Sequence, residues 1–272
     1  FVLDRAGILA AIHLDIRGTI TGTLSAPNAF GMASIVREVR MIASNGLELF
    51  RMSGPMYHYI LRDYLDEYWD ALVHTNARSA VTATTFDVSM IIPLALNARD
   101  IPGLLMLQHK ALTVVLSVEF EADGNVGTGA TIAATVEPAL ETFSVPYDYD
   151  EKTEPFNLAV TCIGESVAIA GAGDFPYPWL LGNSYGLVAH GMGIAQAGAD
   201  SWSRAILRAQ QNDIIFDINP NQADIEFCRH HGRVRPKGVI PFDLLGSSGI
   251  GAFGSGRDII HSAAVTDMKS MI

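Results

Sequence analysis

Two cysteines in 272 residues, Cys162 and Cys228, are too few for a disulfide scaffold, and they form no CxxC pair. Two free thiols is the simpler reading, with a single bond between them left open. Basic residues are scarce as well. The 18 Lys and Arg are scattered along the chain against 29 Asp and Glu, for a formal net charge of −11. That balance excludes a nucleic-acid groove or an anionic membrane surface as the main partner. No run approaches the roughly 18 uninterrupted apolar residues of a membrane-spanning helix. No secretory signal is visible either, because Asp4 and Arg5 interrupt the start and no basic segment precedes an apolar core. The chain carries no N-x-S/T sequon.

Core material is plentiful. Apolar residues make up 49% of the chain and the mean hydropathy is +0.24, so a long disordered region is not expected. The length suits one large all-β domain or two small ones. The most informative stretch is Thr84 to Phe120. It predicts a strand over Phe86–Leu96, a loop broken at Pro102-Gly103, and a second strand over Leu112–Phe120. In the latter, Val114, Leu116, Val118 and Phe120 share one parity, the period-2 signal of a sheet.

Ahead of it, Ile12, Leu14 and Ile16 alternate with His13, Asp15 and Arg17, and Thr19-Ile20-Thr21 continues past Gly18. These predict two adjoining strand pieces. Ile35–Ala43 and Leu47–Met52, joined at Ser44-Asn45-Gly46, predict a hairpin. Met56–Leu72 then changes texture. Tyr57, Ile60, Leu61, Tyr64, Leu65, Tyr68 and Trp69 recur at helical spacing, opposite Arg62, Asp63, Asp66, Glu67 and Asp70, with Pro55 in the first turn. An aromatic stripe at that spacing is core packing rather than a ligand cage. Asp123-Gly124-Asn125 closes the module, Thr131–Val136 is a short strand, and the polar run Val145–Lys152 is the expected joint between domains 1–146 and 147–272.

The second half echoes this order. Strands are expected at Phe156–Cys162, Ser166–Ala170, Gly186–Ala195 and Ile214–Ile218, with Asp174–Pro178 a loop and Pro220–Asp224 a turn. Trp202–Gln211, capped by Asp200 or Ser201, is the expected counterpart of the first helix. Ile240-Pro241 mirrors Ile92-Pro93 at an offset of about 150 residues, and a closing strand follows near Ile259–Thr266. The chain reads as one β-module used twice.

Three constellations could carry chemistry. Gly249–Gly254 matches GxGxxG, but a strand rather than a helix is expected after it, so it is a loop. Gly182-Asn183-Ser184-Tyr185-Gly186 matches GxSxG, with His230, His231 or His261 as conceivable bases and Asp217 or Asp224 as orienting carboxylates. Prolines before Ser184 and glycines after it spoil the strand–turn–helix context that such an elbow needs. Cys228, His230 and His231 could meet a metal, but adjacent histidines on a strand point to opposite faces, and no second cluster completes four ligands. Neither half has the HxH of a bicupin. No catalytic, cofactor or metal residue is therefore assigned.

The layout resembles the double jelly-roll major capsid proteins of tailless icosahedral viruses, the small forms of membrane-containing bacteriophages above all. The likeness lies in GTITGTL as an early strand, SNG in a hairpin, the Met56–Leu72 helix, MIIPLAL and the VVLSVEF strand. It implies an all-β fold with short inserted helices, built as two tandem jelly-roll sandwiches. It also implies a homotrimer forming a pseudo-hexameric capsomer, with neighbouring capsomers, minor capsid or vertex proteins and an underlying viral membrane as partners. The implied location is the virion, after synthesis in host cytoplasm, and no cofactor or enzymatic activity is implied. The rival readings are a carbohydrate- or receptor-binding β-sandwich such as a viral spike, and a two-domain β-sandwich serine hydrolase using Ser184.

Overall fold

The strand that carries the alternating Ile12, Leu14 and Ile16 is a single unbroken element, β1 (Ile8–Thr21). In the computed structural model the described residues are 1–4, 7–26, 30–61, 76–94, 104–107, 112–143, 161–164, 173–177, 183–184, 187–190, 200, 202–209, 214–231, 234–235, 239–242, 260–261 and 265–271. They fall into two compact units, Phe1–Glu165 and Ser166–Ile272. The expected joint at Val145–Lys152 lies outside the described residues. The first unit extends beyond it because Cys162–Ile163 pairs with a strand of that unit.

The first unit contains β2 (Val36–Ala43), β3 (Glu48–Met52), β4 (Thr85–Asp87), β5 (Met90–Pro93), β6 (Leu105–Met106), β7 (Val114–Phe120), β8 (Thr131–Phe143) and β9 (Cys162–Ile163). Along one edge β1 pairs antiparallel with β4, β5 and β6 in turn, and along the other with β8 over its whole length. A second sheet runs β7-β2-β3-β9. The even positions Ile12, Leu14, Ile16 and Ile20 of β1 are buried, and Val39, Met41, Phe50, Val114 and Leu116 supply the buried face of the second sheet. Period-2 burial on two sheets is the pattern of a sandwich. Gly18 sits on the buried parity opposite Phe86. A Cβ there would meet the Phe86 ring at 2.7 Å and the Ala133 carbonyl oxygen at 2.1 Å, so only glycine lets β4 and β8 close on β1.

Three expectations need correction here. The strand expected over Phe86–Leu96 is two strands in one continuous register, parted at Val88-Ser89. There the Ser89 hydroxyl accepts the Ile16 N–H at 3.1 Å and donates to Asp87 Oδ1 at 2.6 Å. A side chain thus replaces one rung of the ladder. Asp123-Gly124-Asn125 does not end the module. It forms a short helix, Asp123–Val126, that leads into β8. That strand is 13 residues long, more than twice the piece expected, because full-length pairing with β1 carries it across Pro138. The hairpin is as expected. Leu47 N–H donates to Asn45 Oδ1, Gly46 N–H donates to the Ala43 carbonyl, and Gly46 takes φ +82°.

Directly after β3 a helical turn, α1 (Gly54–Met56), widens into π-helical Tyr57–Leu61. Ser53 caps it, accepting the Met56 N–H at 3.3 Å, and Pro55 stands in the first turn. Tyr57 is fully buried, in line with a stripe that packs on the module. The remainder of the expected helix, including Tyr64, Leu65, Asp66 and Glu67, lies outside the described residues.

The second unit contains β10 (Asp174–Tyr177), β11 (Asn183–Ser184), β12 (Leu187–His190), β13 (Arg204–Ala209), β14 (Ile214–Ile218), β15 (Val239–Phe242), β16 (Ile260–His261) and β17 (Val265–Met271). Counting the Asp123–Val126 helix as α2, its helix is α3 (Pro220–His231). Four strands run β10-β17-β13-β14, beside the pairs β11-β16 and β12-β15. Asp174–Tyr177, expected as a loop, is thus a strand paired with β17. Trp202–Gln211, expected as a helix, contains β13, a strand paired on both edges. Its Trp202, Ala205, Ile206 and Ala209 mimic a helical stripe, but two ladders outweigh the local period. Pro220–Asp224, expected as a turn, opens the real helix instead.

The module order is nevertheless used twice, in a register different from the one expected. Each unit has a hairpin (β2–β3, β13–β14), a helix starting straight after it, an Ile-Pro strand (β5, β15), and a closing strand (β7, β17) paired with the first hairpin strand. Each Ile-Pro strand pairs antiparallel with a strand that precedes the hairpin, β1 or β12. Leu187–His190 is therefore the counterpart of β1, whereas its expected counterpart was the first hairpin strand.

Candidate functional site

The chemistry-bearing motifs fall on backbone that does not assemble them. Ser184 ends β11 in a ladder where it faces Ile260, and Asn183 faces His261, so Ser184 and His261 hold alternating register positions. The next described element is a strand, β12, not a helix. The strand–turn–helix context of a nucleophile elbow is absent at this position. Cys228, His230 and His231 lie on α3 and not on a strand, which corrects the expectation. On a helix, positions i and i+2 lie about 200° apart, so Cys228 and His230 occupy different faces. Asp217 is engaged by Arg204 across the β13–β14 hairpin. Gly249–Gly254 lies outside the described residues. Among the described residues no group of three or more His, Cys, Asp or Glu is arranged to hold a metal. No described helix is long and apolar enough to cross a membrane.

What the structure does build are two anchored helices, each tied down by a guanidinium that also lies over an aromatic ring. In the first unit Arg78 donates from Nε and Nη2 to the His58 carbonyl at 2.8 and 2.5 Å, with its guanidinium 4.9 Å from the Tyr59 ring centroid. Burial pushes the Tyr59 hydroxyl above its ordinary pKa, with the Arg78 charge opposing. In the second unit Arg235 donates from Nη1 and Nη2 to both oxygens of Asp200 at 2.9 Å, and from Nε to Asp224 at 2.8 Å. Its guanidinium sits 5.4 Å from the Trp202 centroid. The sequence marks neither arginine, because its partners are 20 and 35 positions away at the farthest.

Both helices carry local caps, but the turn expected over Pro220–Asp224 passes over the second. Asn219 Oδ1 accepts the Gln222 N–H at 3.0 Å while Gln222 Oε1 accepts the Asn219 N–H at 2.9 Å, a reciprocal capping box. Asn219-Pro220-Asn221-Gln222 is the signal that could have marked α3 in place of a turn, as Ser53-Gly54-Pro55 marks α1. Each cap is the first residue after its hairpin.

The outer face of the β1 sheet is acidic. Asp15 stands directly opposite Glu137 in the ladder, Arg17 bridges Asp15 and Asp87, and His13 meets Glu141 at 3.3 Å. Exposed pairs of this kind contribute little to stability.

No family model and no curated protein matches the chain. Solved structures do. The STIV MCP, from Sulfolobus turreted icosahedral virus, superposes with a TM-score of 0.62 at 12% identity, over 100% of this chain and 90% of that one. The PBCV-1 virus capsid gives 0.61 at 11% identity, over 99% and 78%. PBCV-1 VP54, fitted into a reconstruction of the virophage Sputnik, gives 0.62 at 10% identity, over 99% and 78%. The chain has the double jelly-roll fold. At these identities the likeness is one of architecture: an all-β chain with short helices and the fold of viral major capsid proteins. In this chain the hairpin, the capped helix straight after it and the Ile-Pro strand recur in that order in each unit.

Proposed function

We propose that the chain is a major capsid protein of an icosahedral virus. It assembles as a homotrimer whose six jelly rolls form a pseudo-hexameric capsomer, and these capsomers tile the shell through lateral contacts. The observation that carries this reading is likeness over 100% of the chain to a major capsid protein, of which it spans 90%. Both modules are matched, so the duplication itself is shared rather than a single sandwich. The proposal assigns no catalysis, cofactor or resident metal to the chain. Its partners are further copies of itself, with minor capsid or vertex proteins and an internal membrane as candidates in the virion. The two rolls are proposed at 1–146 and 147–272, with Cys162–Ile163 returning to pair with β3 of the first. Light scattering on a sizing column tests the reading. A trimer that associates further with concentration or added cations supports it, and a protein that stays monomeric at high concentration refutes it.

A further inference from the structure

We propose that Arg235 is a latch that holds α3 onto the second unit, and that α3 opens as a separate segment when the latch is lost. The inference rests on the geometry of the second unit alone and stands whether or not the chain builds a shell.

The apolar grip of α3 is thin. Among its described side chains Ala223 and Phe227 are buried, one turn apart on one face. Asn221, Gln222, Ile225, Glu226, Cys228 and Arg229 are exposed. One phenyl ring and one methyl group are a small contact for a helix of 12 residues.

The ionic grip is the opposite. The Arg235 side chain is 0% exposed, against 12% for Asp200 and 34% for Asp224. Asp200 precedes β13, Asp224 stands in the second turn of α3, and Arg235 lies in the segment between α3 and β15. A single guanidinium therefore ties the helix to the chain ahead of the hairpin, accepted by both oxygens of Asp200 and by Asp224. The Pro220 carbonyl, at the first residue of α3, adds a longer contact at 3.4 Å. Trp202 covers the guanidinium face. Removing one partner of such a buried pair leaves an uncompensated charge, so the clamp is all-or-none in character. The hairpin does not share this dependence. It is held by the β13–β14 ladder, by β17, and by the separate exposed pair Arg204–Asp217. Loss of the latch should therefore free the helix and leave the strands closed, a sub-global opening.

Hydrogen exchange read by mass spectrometry on the full-length chain tests this, with every variant held in the same assembly state. Arg235→Lys keeps the charge but loses the bidentate fork, and Asp200→Asn removes the main carboxylate. Both should raise exchange across residues 220–231 on the order of tenfold to a hundredfold, with residues 204–218 unchanged. Asp217→Asn, outside the clamp, should leave residues 220–231 at the parent rate. Unchanged exchange of α3 in both clamp variants overturns the proposal. So does a parallel loss of protection in helix and hairpin, or a clamp variant that fails to fold at all, because a detachable helix leaves its sheet standing.

Discussion

The Tyr57 hydroxyl lies 2.7 Å from the Ile91 backbone nitrogen and accepts its N–H. Ile91 stands opposite His13 in the β1–β5 ladder, so the tyrosine occupies a hydrogen-bonding position on β5 that no described strand fills. One phenol thus joins the inserted helix to the Ile-Pro strand, two elements that recur in the second unit. Tyr57→Phe keeps the ring and strands a half-buried N–H. The expected cost is about 1–3 kcal/mol, read as a lower denaturant midpoint at unchanged slope.

Ile16 and Gly18 test the centre of the first sandwich. Ile16→Ala removes a fully buried side chain, with an expected loss of about 2–5 kcal/mol. Gly18→Ala acts by overpacking, since its Cβ would press on the Ala133 carbonyl and the Phe86 ring. About 1–3 kcal/mol is expected there, and thermal unfolding of the two variants checks both. A stable Gly18→Ala protein would mean that β8 is free to shift outward.

Asn219→Ala should destabilise α3 by about 0.5–2 kcal/mol through loss of its capping oxygen. Asn219→Asp or Asn219→Ser should restore most of it. Helical circular dichroism and exchange over residues 220–231 report the difference.

The two thiols should differ in reactivity. Burial raises the Cys162 thiol to about 12, whereas Cys228 is exposed on α3. A thiol whose folded pKa is raised stabilises the fold below its unfolded value of 9.0. That contribution is lost as pH climbs from there towards 12. At pH 8 the native protein should take up one equivalent of iodoacetamide, at Cys228, and two after denaturation. Mass spectrometry of the alkylated chain decides it.

Ser184→Ala should leave folding, oligomeric state and assembly as in the parent. Fluorophosphonate should not label the native protein. Labelling that disappears in the variant would restore the hydrolase reading despite the strand that follows β11.

Much of the first module could be read from local pattern. Ile12, Leu14 and Ile16, the turn at Asn45-Gly46, and Val114 to Phe120 each announce their element within ten residues, because the pleat exposes alternate side chains to core and water. Apart from the turn expected over Pro220–Asp224, where a local capping box was passed over, the larger differences arise where the deciding partner is remote. The Thr131–Phe143 strand alternates weakly by itself, and its length is set by β1, more than a hundred residues earlier. In the second unit the stripe of Trp202, Ala205 and Ile206 suits a helix as well as a strand.

The sequence by itself determined the class of this protein: all-β, duplicated, acidic, with a capped helix behind the first hairpin. Caps, turns and period-2 runs are short-range physics, settled between residues a few positions apart. Only the tertiary structure decided which strand is the counterpart of which, and where the charged side chains end up. Leu187–His190 plays the part of β1 because Val239–Phe242 pairs with it. Arg235 is a clamp rather than a surface charge because folding brings Asp200 and Asp224 to it from opposite sides of a hairpin. Ladder pairing and charge burial are long-range terms whose sign depends on partners that no local pattern names.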